Sequence, residues 1–468
     1  MNMYHSLEVR SGALSKSLAK NELIKVLINI SLYTLLIVST VLLSYYLIKT
    51  PNWEQSIITS ISTIIYISGL VLIFMNIGFG FTFIYLLYLG IAHLGVAISQ
   101  IIDSEALLKF RNYRGGVSWF FSSSTNYVIA LTGIAMFVYI VSAIVASSIS
   151  SLKKKNEQKT FNQGPREILY MGFVLLSLGS VYLIIALISG SLNIKGNYMD
   201  YRETMGELPG YAWLIFSVAV GITLIVATGN KKNIKYGFIL FMIPTFIFLI
   251  TGNRGEVMYP LAAAFSVLFV RGYKLNVRFF VVGIIVVLLV IPMIFQMRSV
   301  GLSNFNYKND FTYRITDPFV EFGLTQRPFV VTAEWVRTGE EFAKGKTYLL
   351  PLERIIGKLP FYERPPLDIS NRYYIKDRVP GLGYSVLAEA YFNFGKLGLI
   401  LIPAVIGMVL TFFGDRASGY WGLSIMGAVM STLINNLRNS FIFVPGHLIM
   451  ITFIFLICYF VKTKKVNK

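Results

Sequence analysis

Long runs of apolar residues alternate with short polar segments along almost the whole chain. The hydrocarbon core of a bilayer is ~30 Å thick and needs about 20 predominantly apolar residues of helix to span it. Twelve runs reach or approach that length, near 24–48, 56–77, 79–102, 126–149, 168–189, 211–229, 234–252, 255–270, 277–297, 386–413, 421–437 and 441–461. The pattern therefore predicts an all-α polytopic integral membrane protein with about 12 transmembrane helices.

Composition leads to the same class of protein. Of the 468 residues, 55% are hydrophobic and 14% are charged, whereas a soluble domain has about 25% charged residues. The net charge of +19 would suggest nucleic acid as a partner of a soluble protein. In a membrane protein lysine and arginine accumulate on the cytoplasmic side, so we predict contact with membrane lipids and no nucleic-acid partner.

The distribution of charge along the chain predicts the orientation of the helices. With the N-terminus in the cytoplasm, the inner segments hold 20 basic and five acidic residues, while the short outer loops hold eight basic and seven acidic residues. Because cytoplasmic loops carry the excess of lysine and arginine, we expect both termini in the cytoplasm. The predicted cytoplasmic tails are 1–23 and the basic segment 462–468.

One connection is too long to be a simple loop. Helices one to nine are expected within 24–297 and helices ten to twelve within 386–461, which leaves 298–385 as one large extracytoplasmic segment. Structureless loops of this size are uncommon in compact proteins. The stretch DPFVEFGLTQRPFVVTAEWVRTGEEF predicts one or two amphipathic helices, with Asp317 as the N-cap and Pro318 at the first helical position. We interpret the segment as a partly helical lid over an outward-facing site.

Three arginines fall at predicted outer helix ends, where the orientation rule disfavours them. Arg254 lies in ITGNRGEVMYP, Arg298 in FQMRSVG and Arg438 in NNLRNSF. Each of them alone is best explained as an interfacial anchor. Together they favour a binding site, because the planar guanidinium fork suits phosphate oxygens. We predict that the three arginines bind a lipid-linked diphosphate.

Other polar residues near these helix ends are candidates for the remaining chemistry. Glu389 is the first candidate for a general base and His447 the second, since either group can accept a proton when its environment tunes its pKa. Glu256, Tyr391 and Asn439 are candidates for orienting the substrate, and loop tyrosines are candidates for sugar contacts (Tyr362, Tyr373, Tyr374 and Tyr384). The chain has no DxD or HExxH motif and no cluster of metal ligands. We predict no metal site and no cofactor.

Four sequence segments form a distinctive set when they are taken together: GNRGEVMYPL, GKTYLLPLERIIGKLPFYERPP, GYSVLAEAYFNFGKLG and LRNSF. This set resembles the O-antigen and capsular polysaccharide polymerases called Wzy, and the likeness covers roughly residues 240–450. The resemblance implies a fold similar to metal-independent, multi-helix glycosyltransferases of the GT-C-like kind. It also implies polymerisation of undecaprenyl-diphosphate-linked oligosaccharide repeat units on the outer face of the cytoplasmic membrane, with release of undecaprenyl diphosphate. A flippase and a chain-length regulator of the same pathway are expected partners.

Two alternative functions remain at this point. A lipid-linked oligosaccharide flippase or another transporter would also have about twelve helices, but it would carry charges along a central path, and here the polar residues gather at the outer helix ends. A glycan ligase would use the same donor and the same leaving group. The residues alone do not separate ligase from polymerase.

Overall fold

The computed structural model describes residues 2–107, 117–151, 163–191, 210–273, 314–356, 383–417 and 419–466, with Thr204, Leu208 and Ile294. Within these ranges the regular secondary structure is helical and no strand is present. This agrees with the predicted all-α class. Helices are favoured in a membrane because a helix satisfies its backbone hydrogen bonds within its own segment.

The first eight helices follow the predicted apolar runs closely. They are α1 (Asn2–Lys49), α2 (Gln55–Asn76), α3 (Phe81–Ile102), α4 (Ser123–Ser151), α5 (Arg166–Ile188), α6 (Tyr211–Thr228), α7 (Lys231–Ile250) and α8 (Gly255–Val270). Helix α1 begins at Asn2 and so includes most of the predicted cytoplasmic tail, while its apolar spanning part begins at Leu23. The predicted ninth helix, 277–297, lies outside the described residues except for Ile294.

The second part of the chain contains shorter helices before the last membrane helices. They are α9 (Asp317–Gly323), α10 (Arg327–Arg337), α11 (Lys346–Ile356), α12 (Val386–Phe394), α13 (Lys396–Val409), α14 (Gly419–Asn436) and α15 (Val444–Val466). Helices α9 and α10 confirm two helices in the predicted amphipathic stretch. Asp317 is the first residue of α9, and the N-cap position falls one residue earlier, at Thr316.

Nine helices in the described ranges are long and apolar enough to cross a membrane: Leu23–Lys49, Gln55–Asn76, Phe81–Ile102, Ser123–Ser150, Arg166–Ile188, Tyr211–Thr228, Lys231–Ile250, Lys396–Asp415 and Phe441–Thr463. The apolar helix α8 is shorter, with 16 residues. The protein is therefore a polytopic membrane protein.

The predicted tenth helix, 386–413, is divided in the structure, which corrects that prediction. Gly395 separates α12 from α13 and has a φ angle of 60°, in a region that glycine enters without steric cost. A Cβ added at Gly398 would lie 2.0 Å from the Ala390 carbonyl oxygen, so the two helices fold tightly against each other. Only α13, extended by a π-helical turn at Leu410–Asp415, is long enough to span.

Polar contacts join the N-terminus of α3 and the C-terminus of α6 to neighbouring helix ends. The Asp415 carboxylate accepts hydrogen bonds from the Phe81 and Thr82 amides, at 2.7 and 3.1 Å, and so caps the N-terminus of α3. The buried Arg271 side chain donates to the carbonyl oxygens of Val226 and Gly229, at the C-terminus of α6. A cation at a helix C-terminus also interacts favourably with the helix dipole.

Helix α9 is embedded in the bundle and does not rest on its surface. A Cβ at Gly95 of α3 would lie 2.3 Å from the Phe319 carbonyl oxygen, and a Cβ at Gly323 would lie 2.3 Å from the Val96 nitrogen. These two glycines therefore allow the α3 and α9 backbones to touch. Arg314, just before α9, adds ion pairs of 2.9 Å to Asp103 and Glu105, which follow α3.

Candidate active site

The turn between α7 and α8 places Arg254 inside the protein. Gly252 has a φ angle of 77° and allows the chain to reverse, and the Thr251 hydroxyl bonds back to the Ile247 carbonyl at 3.0 Å. Arg254 follows at the N-cap position of α8 and is only 2% exposed. An arginine predicted at the membrane interface is thus a buried residue.

Glu321 of α9 forms a buried ion pair with Arg254. Its side chain is 2% exposed, and the Phe322 ring lies 5.6 Å from the Arg254 guanidinium carbon. Desolvation of two charges costs several kcal/mol per ion, so such a pair is rarely kept for stability alone. The pair joins the α7–α8 turn to the large segment between the membrane helices.

The second predicted arginine, Arg438, lies in the turn after α14 and is partly buried. Its positive charge acts on the carboxyl group of Glu256, the second residue of α8. The backbone of this turn also touches the start of the GYSVLAE segment, because a Cβ at Gly383 would lie 2.2 Å from the Arg438 carbonyl oxygen. Arg254 and Glu256 flank Gly255, so the Arg254–Glu321 and Glu256–Arg438 interactions meet at one helix start.

Glu389 lies in the first turn of α12 and is 1% exposed. Its Oε2 atom accepts a hydrogen bond of 2.7 Å from the Phe441 amide, and its Oε1 atom lies 3.5 Å from the Ser440 hydroxyl. Ser440 is the N-cap of the short helical turn Phe441–Phe443 that leads into α15. The carboxylate is therefore fixed beneath the same turn that carries Arg438.

Tyrosine hydroxyls and an amide surround Glu389. Tyr348 of α11 and Tyr384 interact electrostatically with its carboxylate, and the Tyr384 hydroxyl lies 3.3 Å from that of Thr332. The Asn393 amide donates to the Glu389 carbonyl oxygen at 2.8 Å and to the Thr347 hydroxyl at 2.5 Å. These groups form a buried polar cluster to which α10, α11 and α12 contribute.

The other predicted site residues have different surroundings. His447 stacks on the Phe216 ring of α6 with a centroid distance of 3.9 Å. Tyr391 is packed among aromatic rings, including Phe329 at 5.7 Å. The Asn439 amide donates to Asn435 Oδ1 at 2.5 Å and so braces the Arg438 turn. Arg298, Tyr362, Tyr373 and Tyr374 lie outside the described residues.

The sequence did not single out Glu321 as a site residue, since its partner Arg254 is far away in sequence. It also did not single out Arg327, which begins α10 and is partly buried; desolvation lowers the pKa of Arg327 below the usual arginine value. The mixed charge of segment 298–385 indicated a site. Only the packing of α9 against α3 shows that the Glu321 carboxylate is buried inside the protein.

The candidate site combines guanidinium groups, carboxylates and hydroxyl groups. Guanidinium groups come from the α8 start and from the turn after α14, while carboxylates come from α8, α9 and α12. In the described ranges, no group of three or more His, Cys, Asp and Glu side chains is placed to hold a metal ion. Such a set suits charge stabilisation by arginine and acid–base chemistry by a carboxylate.

Comparison with known proteins identifies the family. The family described as O-antigen polysaccharide polymerase Wzy matches residues 27–468. Protein CapE of Staphylococcus aureus is 32% identical over 378 residues, which cover 79% of this chain and 82% of the relative. No solved structure matches. The match over nearly the whole chain and the CapE relative show that the chain belongs to the O-antigen polysaccharide polymerase Wzy family.

Proposed function

We propose that this protein is a glycosyltransferase that joins undecaprenyl-diphosphate-linked oligosaccharide repeat units into an O-antigen, a capsule or a similar surface polysaccharide. Twelve helices would place both termini in the cytoplasm and the site at the outer face of the cytoplasmic membrane. The observation that carries the proposal is that the Arg254–Glu321 and Glu256–Arg438 interactions lie at the start of α8, while Glu389 binds the backbone just after the Arg438 turn.

In the proposed reaction the growing glycan moves from its lipid carrier to an incoming lipid-linked unit. The bond between the anomeric carbon and the diphosphate oxygen breaks, a new glycosidic bond forms to the acceptor oxygen, and the acceptor hydroxyl loses its proton. The leaving diphosphate gains negative charge in the transition state. Donors that are already positioned, as Arg254 and Arg438 are, stabilise such charge without reorganisation; Arg298 is the third proposed contact.

Glu389 is the proposed general base. The Phe441 amide orients one carboxylate oxygen, as a general base is commonly oriented by a third group, and the Ser440 hydroxyl lies 3.5 Å from the other oxygen. Since Glu389 is 1% exposed, the acceptor can reach it only when neighbouring side chains move aside. His447 stays the second candidate.

The remaining site residues support these roles. Glu256, beside Arg438, is proposed to orient that guanidinium and a sugar hydroxyl. Asn439 would hold the Arg438 turn, and Tyr391 would pack the helix that carries Glu389. The proposed substrates are a lipid-linked donor and acceptor, with a flippase and a chain-length regulator as pathway partners. Because charge stabilisation comes from arginines, the proposed mechanism is independent of metal.

A reconstituted polymerisation assay tests the function. Purified protein in liposomes, supplied with lipid-diphosphate repeat units, should give a ladder of longer lipid-linked products. Ligase activity would instead transfer the glycan to a different acceptor, and a transporter would move the lipid without extending the glycan. Absence of a ladder with a chemically matched repeat unit would refute the polymerase assignment.

Two variants test the base. Glu389→Gln keeps an oxygen for the Phe441 amide but cannot take a proton, and we expect kcat to fall by about 10²–10⁴-fold. Thr332→Val is the matched control, because it removes a hydroxyl from the same buried polar cluster without removing a carboxylate, and it should change kcat by less than about tenfold. A normal kcat in Glu389→Gln would show that another residue is the general base, and His447→Gln would be the next variant to measure.

A further inference from the structure

A carboxylate occupies the place where the proposed mechanism needs a phosphate. Glu321 contacts the Arg254 guanidinium inside the protein, where low dielectric strengthens the attraction between the two charges. Carboxylate and phosphate oxygens use the same guanidinium donors. Binding of a diphosphate to Arg254 therefore occurs in competition with Glu321.

The position of Glu321 is fixed by its helix. Backbone contacts at Gly95 and Gly323 hold α9 against α3, and the Ser99 hydroxyl lies 3.5 Å from the Thr316 carbonyl oxygen just before α9. Arg314 connects the same end of α9 to Asp103. A helix fixed in this way keeps its carboxylate within reach of Arg254 while a substrate comes and goes.

We propose that Glu321 is an internal counter-anion, which the lipid diphosphate displaces from Arg254 and which returns when the product leaves. The inference rests on the proposed function, because it assumes that Arg254 binds the diphosphate. Glu321 is a positioning residue in this scheme, since it acts through Arg254 and does not touch the reacting atoms. Its negative charge weakens the binding of the released undecaprenyl diphosphate and so speeds product release.

The scheme predicts that a substitution of Glu321 strengthens diphosphate binding. If Glu321 only supported the fold, its loss would weaken every property of the site. If Glu321 competes with the diphosphate, Glu321→Gln should bind the diphosphate more tightly and turn over more slowly. A lower inhibition constant together with a lower kcat therefore separates competition from structural support.

Product inhibition measures this directly. In the reconstituted polymerisation assay with the full chain, undecaprenyl diphosphate is titrated against wild type, Glu321→Gln and Glu321→Asp. We expect the inhibition constant to fall roughly tenfold in Glu321→Gln, which corresponds to about 1.4 kcal/mol. Glu321→Asp keeps the charge on a shorter side chain, and its inhibition constant should lie between the other two.

A matched control and a defined failure complete the test. Glu105→Gln removes an exposed carboxylate that pairs with Arg314 and should leave the inhibition constant unchanged. An unchanged or higher inhibition constant in Glu321→Gln overturns the inference, and if that variant does not fold, the same result in Glu321→Asp overturns it. If the wild-type protein makes no ladder, the proposed function itself is wrong. If Arg254→Lys abolishes the ladder but undecaprenyl diphosphate inhibits Glu321→Gln no more strongly than wild type, only the counter-anion role of Glu321 is rejected.

Discussion

The Arg254–Glu321 pair makes a quantitative prediction about stability. Both side chains are 2–3% exposed, so solvent screens their interaction very little. Removal of one partner takes this ion pair from a charge that stays buried, and the loss of a buried pair costs about 3–5 kcal/mol. We expect Arg254→Met and Glu321→Leu each to lower the free energy of unfolding by that amount.

The double variant should behave differently from the sum of its parts. Arg254→Met with Glu321→Leu removes both charges and leaves two apolar side chains beside the Phe322 ring, and such replacements are often neutral or stabilising. We expect a coupling free energy of at least about 3 kcal/mol, measured by reversible unfolding of all four proteins in mixed micelles. The double variant should fold but lack polymerase activity, because Arg254 is absent.

Additivity would refute the reasoning. If the two single effects sum to the double effect within about 0.5 kcal/mol, the side chains act independently, and the ion pair is not a determinant of the fold. A folded Arg254→Met single variant with wild-type stability would lead to the same conclusion.

Three further predictions follow from contacts around the site. Gly95→Ala should displace α9, because its Cβ would lie 2.3 Å from a carbonyl oxygen, whereas Gly422→Ala meets only one atom at 3.8 Å; we expect at least a tenfold loss of polymerisation rate in the first variant and no loss in the second. Arg271→Met should lower stability by about 1.5–3 kcal/mol, the contribution of charged hydrogen bonds, and leave the KM of the folded enzyme unchanged; a raised KM would contradict its distance from the site. In a Cys458→Ala background, Glu105→Cys should react with an impermeant thiol reagent from outside intact cells and Lys231→Cys should not, and the reverse pattern would refute the proposed orientation.

The membrane helices could be predicted well from sequence because the bilayer imposes one dominant rule. An apolar stretch in lipid must satisfy its own backbone hydrogen bonds, so an apolar run becomes a helix of nearly the same length. Helix α8 begins and ends at the predicted residues, 255 and 270. The prediction failed at Gly395, where the apolar run continues but the helix ends. Hydrophobic periodicity alone does not detect this break, whereas the two glycines of NFGKLG indicate it.

The site was predicted only in part, because its decisive contacts join distant segments. The unusual position of Arg254 could be recognised locally, as a charge between two apolar runs. Its partner Glu321 could not be recognised in this way. The ion pair depends on how α9 packs in the fold and not on the residues next to Glu321 in sequence. The same holds for Glu389, whose partner amide belongs to Phe441. The sequence singled out candidate residues by their chemistry, and the contacts that position them became visible only in the fold.

The break at Gly395 explains how a carboxylate comes to lie beneath the Arg438 turn. In a continuous helix of 1.5 Å rise per residue, α12 would extend α13 along its own axis and carry Glu389 away from the bundle. The positive φ angle at Gly395 and the missing side chain at Gly398 allow α12 to fold back instead. The Glu389 carboxylate then reaches the first amide of the turn that leads into α15, where the positive end of that turn favours a negative charge. A helix break inside a membrane protein is costly unless its backbone groups find partners, and here the break brings the proposed base to the backbone that follows the Arg438 turn.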